Sequence, residues 1–181
     1  MLRLNLGCGR ERLDGFVNVD LYGDCFIHDL NVRPWPWMDN SVGEVVMHHV
    51  LEHLPDTISV MKELYRVCSD GAKVHVAVPH PRSDDYLNDP THCSPITPGV
   101  LMCFSKKANE ATKNDANTPL GMIHNVDFDM EHNEYVIEQK WMDKMDKGVM
   151  TEADLREAVM TFNNVVKQIE MRLKVIKPCL N

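Results

Sequence analysis

Five short apolar runs fall within the first 80 residues, and their spacing restricts the folds open to this chain. Leu2, Leu4 and Leu6 alternate with polar residues until Gly7 stops the pattern, which reads as a strand over 2–6. "FVNVD" (16–20), "CFIHDL" (25–30), "GEVVMHH" (43–49) and "AKVHVAV" (72–78) read as further strands. One gap between them holds a clear helix. Asp56 can cap it, Ile58, Met61, Leu64, Tyr65 and Cys68 share a face, and Gly71 ends it. Strands separated by crossovers imply an α/β fold with a doubly wound, mostly parallel sheet. In such a sheet, ligands bind outside the carboxyl ends of the strands, where the strand order reverses.

The stretch "LNLGCGRERLDGFVNVD" (4–20) lies at that end. Gly7 and Gly9 close the first strand, and glycine permits both positive φ and close approach of a ligand. Asp20 closes the next strand, where a carboxylate can accept two hydrogen bonds from a ribose diol. The pair suits an adenosine-type ligand. A dinucleotide would call for G-x-G-x-x-G opening a helix, but the third glycine position here is Arg12. The 11 residues from Gly9 to Asp20 leave no room for a helix and a strand. A pyrophosphate would therefore lack the helix N-terminus that binds it.

"LNLGCG", "VNVD", "HDLNVRPWPWMDNSVGEVVMHHVLEHLPD" and "GAKVHVAVPHP" occur in order over residues 2–80. Together they resemble the class I S-adenosylmethionine-dependent methyltransferases, in particular the small bacterial and phage type related to methyltransferase type 11. The resemblance implies a Rossmann-like fold in a single domain over 1–181. It also implies roles by position. Gly7, Cys8 and Gly9 would line the methionine end of the cofactor, with Asn5 beside them. Asp20 and Leu21 would hold the ribose, and Asp29 and Leu30 the adenine. His48 and His49 would flank the methionine part. Glu52 and His53, in "LEH", would shape the strand–helix corner. The short first crossover departs from the family, where a helix is usual.

Residues 79–125 read as an acceptor-side insertion: a proline-rich loop, then a helix over 99–111. The loop "PHPRSDDYLNDPTH" is polar and follows the fifth strand at the ligand end, a common place for functional residues. Methyl transfer from a sulfonium requires mainly proximity and orientation, and a base only when the acceptor is protonated. His49, Asp89 and His92 are the candidate catalytic residues, with Asp85 and Asn88 as further candidates for the acceptor pocket. His80, Asp84, Asp85, Asp89 and His92 could instead ligate a divalent ion, but their spacing matches no established site, so no metal is expected. Trp35 and Trp37 read as packing over the sheet. Further on, 125–141 reads as a hairpin turning near His132 and Asn133. A capping-box start at Thr151–Asp154 opens a helix over 152–163. Residues 169–175 alternate as a last strand, expected to run antiparallel and able to pair at an edge into a homodimer.

A net charge of −8 with no long basic run argues against a nucleic-acid surface. So does "HHVLEH" where amino-directed DNA methyltransferases carry Asn/Asp-Pro-Pro-aromatic. The six cysteines form no CxxC pair and imply no disulfide framework. "MLRLNLGCG" is no signal peptide, and no apolar stretch reaches the roughly 20 residues of a membrane helix, so a cytoplasmic location is expected. The expected function is methyl transfer from S-adenosylmethionine to a small-molecule or sugar-like acceptor. The alternatives are a non-catalytic nucleoside-binding module and a metal-dependent hydrolase built on the 80–92 loop.

Overall fold

The computed structural model describes residues 1–111 and 117–178. Residues 112–116 of the expected insertion, and Cys179, lie outside them. Seven strands form one sheet in the order β3-β2-β1-β4-β5-β7-β6. They are β1 (Leu2–Leu6), β2 (Val17–Asp20), β3 (Phe26–Ile27), β4 (Val42–His48), β5 (Cys68–Pro79), β6 (Phe128–Ile137) and β7 (Val166–Val175). Pairing is parallel from β3 to β5 and antiparallel across β5, β7 and β6. The strand order reverses between β1 and β4, which places the ligand-binding crevice at Gly7 and His49.

The core centres on β1, β4 and β5. Leu4, Leu6, Val45, Met47, Val74 and Val78 are fully buried. Helix α1 (Thr57–Val67) packs Val60, Met61, Leu64 and Val67 against it. Each such side chain contributes about 1.5–3 kcal/mol of burial free energy. Asp56 caps the helix by accepting the Ser59 amide at 3.0 Å, and this contact holds its carboxyl below the usual range. Trp35 and Trp37 are buried in the core, and Trp35 donates its indole N–H to the Leu30 carbonyl at 3.1 Å. Arg66 fastens this proline-rich loop by donating to the Trp35 and Trp37 carbonyls, both at 3.0 Å.

Four local expectations need correction. Helix α1 stops before Cys68, which is already extended and pairs with Val42. A buried apolar residue fits either periodicity, and here the strand wins. Gly71, with φ 75°, lies inside β5, where pairing jumps from Val42–Cys68 to Glu44–Lys73. The 99–111 segment forms two short helices, α3 (Pro98–Met102) and α4 (Lys106–Ala111). Between them the Cys103 carbonyl takes the Gly121 amide and the Asn109 side chain instead of continuing a helix. The third strand is two residues long.

The fourth correction concerns 125–141. His132 and Asn133 lie inside β6, which runs on to Ile137 and pairs with β7. Pairing slips by one residue between Met130 and His132, so the turn-prone residues mark a β-bulge at Glu131. Helix α6 (Gln139–Asp146) follows, then α7 (Glu152–Thr161) with the expected Thr151–Asp154 capping box. Two further short helices, α2 (Asp84–Leu87) and α5 (Leu120–Ile123), lie in the insertion. β7 is antiparallel, as expected, but β5 and β6 cover both its edges, so it offers none for dimer pairing. No described helix is long and apolar enough to cross a membrane.

Candidate functional site

The crevice at the strand switch is built from two turns. After β1 the chain takes left-handed φ at Gly7 (65°) and Gly9 (50°). A Cβ on Gly7 would stand 2.2 Å from Val50 Cγ2, whereas one on Gly9 would meet open space. Gly7 is thus required by both conformation and packing. After β4, His49 takes φ 54° and donates its amide to the Ala77 carbonyl at 2.8 Å. A non-glycine residue in this region is strained, and such strain clusters at ligand sites.

Asp20 ties the first turn to β2. Its Oδ2 accepts the Gly9 amide at 2.8 Å and its Oδ1 the Leu21 amide at 2.7 Å. An ionised carboxylate has about four acceptor positions, so two remain for a ligand. Asn5 proves to be a bracket for the turn. Its buried amide donates to the Glu11 carbonyl and to Asn18 Oδ1, both at 2.8 Å. Removing it leaves both acceptors without that donor. Asn5→Ala is expected to cost about 1–3 kcal/mol, read as a lower midpoint in denaturant unfolding.

A cavity of about 450 Å³ gathers Gly7, Asp20, Leu21, Asp29, Leu30 and His49. Six of the ten expected cofactor residues therefore line one space. A neighbouring cavity of about 420 Å³ holds the other four, Asn5, Cys8, Gly9 and His48, and shares Gly7 and His49 with the first. Burial raises the Cys8 thiol pKa, with the neighbouring Cys25 adding to it. Asp29 uses Oδ1 to accept the Asn31 amide at 2.8 Å, which leaves Oδ2 as its second acceptor. Residues that sequence reasoning missed also line the larger cavity, among them Tyr22, His28 and Thr91. His28 Nε2 is buried without a protein hydrogen-bond partner, an orphan that a ligand could satisfy.

A third cavity, of about 360 Å³, is lined by His49, Pro79, Asp85, His92, Lys167 and Gln168. It joins His49 and His92 of the expected catalytic set. Asp89 is not in its lining. Its Oδ1 accepts the Thr91 amide at 2.8 Å and hydroxyl at 2.6 Å, and these bonds lower its pKa. Asp89 thus positions the loop. His80 faces elsewhere: its Nδ1 accepts the Arg82 amide at 3.1 Å, and burial lowers its pKa.

His49 sits between acceptors on both sides. Nε2 is 2.9 Å from Gln168 Oε1, and Nδ1 is 3.5 Å from Glu52 Oε1. Gln168 directs its own N–H to Glu170, so the oxygen assigned toward His49 is an acceptor. The contact with the Glu52 carboxylate raises the His49 pKa, against the opposing effect of burial.

Among the five metal-ligand candidates of the 80–92 loop, only His92 belongs to a converging group of potential ligands among the described residues. Its companions are Glu52 and His53 of the single helical turn Leu51–His53. The loop docks there because the Glu52 carbonyl accepts the amides of Cys93 at 2.9 Å and Ser94 at 3.0 Å.

The family model described as a methyltransferase domain matches residues 23–76. No curated protein matches the sequence. Among solved structures, an S-adenosylmethionine-dependent methyltransferase from Archaeoglobus fulgidus superposes with a TM-score of 0.61 at 18% identity, over 96% of this chain and 86% of that one. One from Thermotoga maritima gives 0.56 at 13% identity, over 96% and 81%. A methyltransferase from Haloferax volcanii, in complex with the Trm112 methyltransferase activator, gives 0.53 at 12% identity, over 97% and 83%. The family model thus covers the segment from the second crossover to the fifth strand, and the solved structures share this chain's fold.

Proposed function

We propose that this class I methyltransferase binds S-adenosylmethionine in the joined cavities at the β1–β4 switch and transfers its methyl group to a small-molecule or sugar-like acceptor. The observation that carries the reading is the cradle itself. Two left-handed glycines bring the backbone to the crevice, the Asp20 carboxylate keeps acceptor positions free, and Leu30 walls the same cavity. Gly7, Cys8 and Gly9 would face the methionine end, Asp20 and Leu21 the ribose, and Asp29 and Leu30 the adenine. The orphaned His28 Nε2 adds a polar contact on that wall.

The cofactor supplies an activated methyl on a cationic sulfur. The protein supplies alignment, which can be worth about 7–11 kcal/mol. His49 borders both cofactor cavities and the cavity shared with Asp85 and His92, so it stands where methyl donor and acceptor would meet. His92 would border the acceptor. Asp89 acts through Thr91 as a positioning residue.

The test is transfer of isotope-labelled methyl from S-adenosylmethionine to a panel of hydroxyl- and amine-bearing small molecules and sugars. Formation of S-adenosylhomocysteine in step with a labelled product is the expected result. Tight cofactor binding with no product across the panel would favour a non-catalytic nucleoside-binding module.

A further inference from the structure

The Glu52 side chain is 1% exposed, and neither carboxylate oxygen has a hydrogen-bond partner among the described residues. A buried carboxylate in that state is costly unless a cation or a proton meets it. The His49 ring nitrogen Nδ1 is 3.5 Å from Oε1, longer than a normal hydrogen bond. Glu52 also faces two histidines whose proton positions follow from their other contacts.

His92 Nδ1 lies 2.8 Å from the Tyr86 carbonyl, which can only accept. In the neutral ring Nδ1 therefore carries the proton, and Nε2 turns its lone pair toward Glu52 Oε1 at 4.0 Å and Asp89 Oδ2 at 3.9 Å. His53 Nδ1 lies 2.8 Å from Thr91 Oγ1. The Thr91 hydroxyl gives its proton to Asp89 Oδ1, so it accepts from His53 Nδ1–H. The second His53 nitrogen is left as a lone pair. One ligand atom from each of Glu52, His53 and His92 lies within 4.8 Å of the others. Three side chains able to donate an electron pair thus converge. Each histidine hands its other N–H to a carbonyl or to a hydroxyl backed by a carboxylate, the arrangement that orients metal-binding imidazoles.

The structure assigns a divalent transition-metal site, of the zinc class, to Glu52, His53 and His92. Metal–ligand bonds of this kind are roughly 2.0–2.2 Å long. A tetrahedral ion sets its ligand atoms roughly 3.3–3.6 Å apart, so the 4.0 Å between His92 and Glu52 and the wider pairs, all within 4.8 Å, would close by side-chain adjustment on binding. Two imidazoles and one carboxylate leave coordination positions open for an exogenous oxygen or nitrogen ligand. His53 lines the larger cofactor cavity and His92 the third cavity, so the ion would stand between the two. On the methyltransferase reading, on which this last step rests, it would hold and polarise an oxygen-bearing acceptor.

The probe is Co²⁺, with Zn²⁺ as competitor. Chelator-treated protein is titrated by calorimetry and by visible absorption. One saturable equivalent with d–d bands of low coordination number, displaced by Zn²⁺, is the expected result. Glu52→Gln and His92→Gln should each weaken binding at least tenfold. Cys93→Ser, which alters a nearby exposed thiol outside the set, should leave it unchanged. Absence of saturable binding, or binding that neither glutamine variant weakens, would overturn the site. If Glu52→Gln does not fold, His92→Gln decides. S-adenosylhomocysteine titrated into the same metal-free protein reports separately on the cofactor reading.

Discussion

Asp20→Ala is expected to weaken S-adenosylmethionine binding about 10²- to 10⁴-fold while the chain stays folded. The carboxylate accepts the Gly9 and Leu21 amides at 2.8 and 2.7 Å, which fixes its rotamer over the cavity. Its remaining acceptor positions would take two ribose hydroxyls. Hydrogen bonds to a charged group contribute about 1.5–3 kcal/mol each, and every 1.4 kcal/mol is tenfold. The two amides lie at an exposed turn, where water can replace the lost acceptor. Titration calorimetry measures the affinity, and far-ultraviolet circular dichroism checks the fold. Unchanged affinity would remove Asp20 from the ribose and turn attention to Asp29.

The second large effect is at Gly7. A side chain there must adopt φ 65° and also displace Val50, whose Cγ2 would lie 2.2 Å from the new Cβ. Left-handed backbone costs about 1–2 kcal/mol and overpacking about 1–3 kcal/mol, so Gly7→Ala should cost about 2–5 kcal/mol. Gly9→Ala carries only the first cost, because its Cβ enters open space. The double variant Gly7→Ala/Val50→Ala should cost less than its single changes together, because truncating Val50 relieves the clash. Urea unfolding of the four proteins measures this. Equal losses for Gly7→Ala and Gly9→Ala would show that the Val50 contact does not matter.

These residues were legible in the sequence for physical reasons. Two glycines ending an alternating strand announce positive φ, and an acid ending the next strand lies beside them in any parallel pairing. The five strands up to β5 and their parallel arrangement are legible from the same apolar runs. The Glu52 cluster was not legible. Glu52 reads as a helical corner in "LEHLPD", and contacts across the fold bring His92 back from 40 residues along the chain: the Glu52 carbonyl holds the amides of Cys93 and Ser94, His53 meets Thr91, and the Ser94 hydroxyl donates to the Leu54 carbonyl. Spacing along the chain therefore does not show that these three side chains meet.

Other misreadings share one cause, which is that local composition does not report pairing. His132 and Asn133 look like a turn, yet β7 supplies partners along the whole of β6 and reduces the signal to a bulge. Cys68 continues the helical face of α1 on paper, but pairing with Val42 draws it into β5.

The cradle, the acid and the family fold all lead to one cofactor, and ligand-dependent unfolding tests that directly. S-adenosylhomocysteine at about 100 times its Kd should stabilise the chain by about 2.7 kcal/mol and raise its unfolding midpoint by several degrees. NAD at the same concentration should leave the midpoint unchanged, because the turn after β1 lacks a helix N-terminus for a pyrophosphate. No shift with S-adenosylhomocysteine, or an equal shift with NAD, would contradict the assignment of this crevice to S-adenosylmethionine.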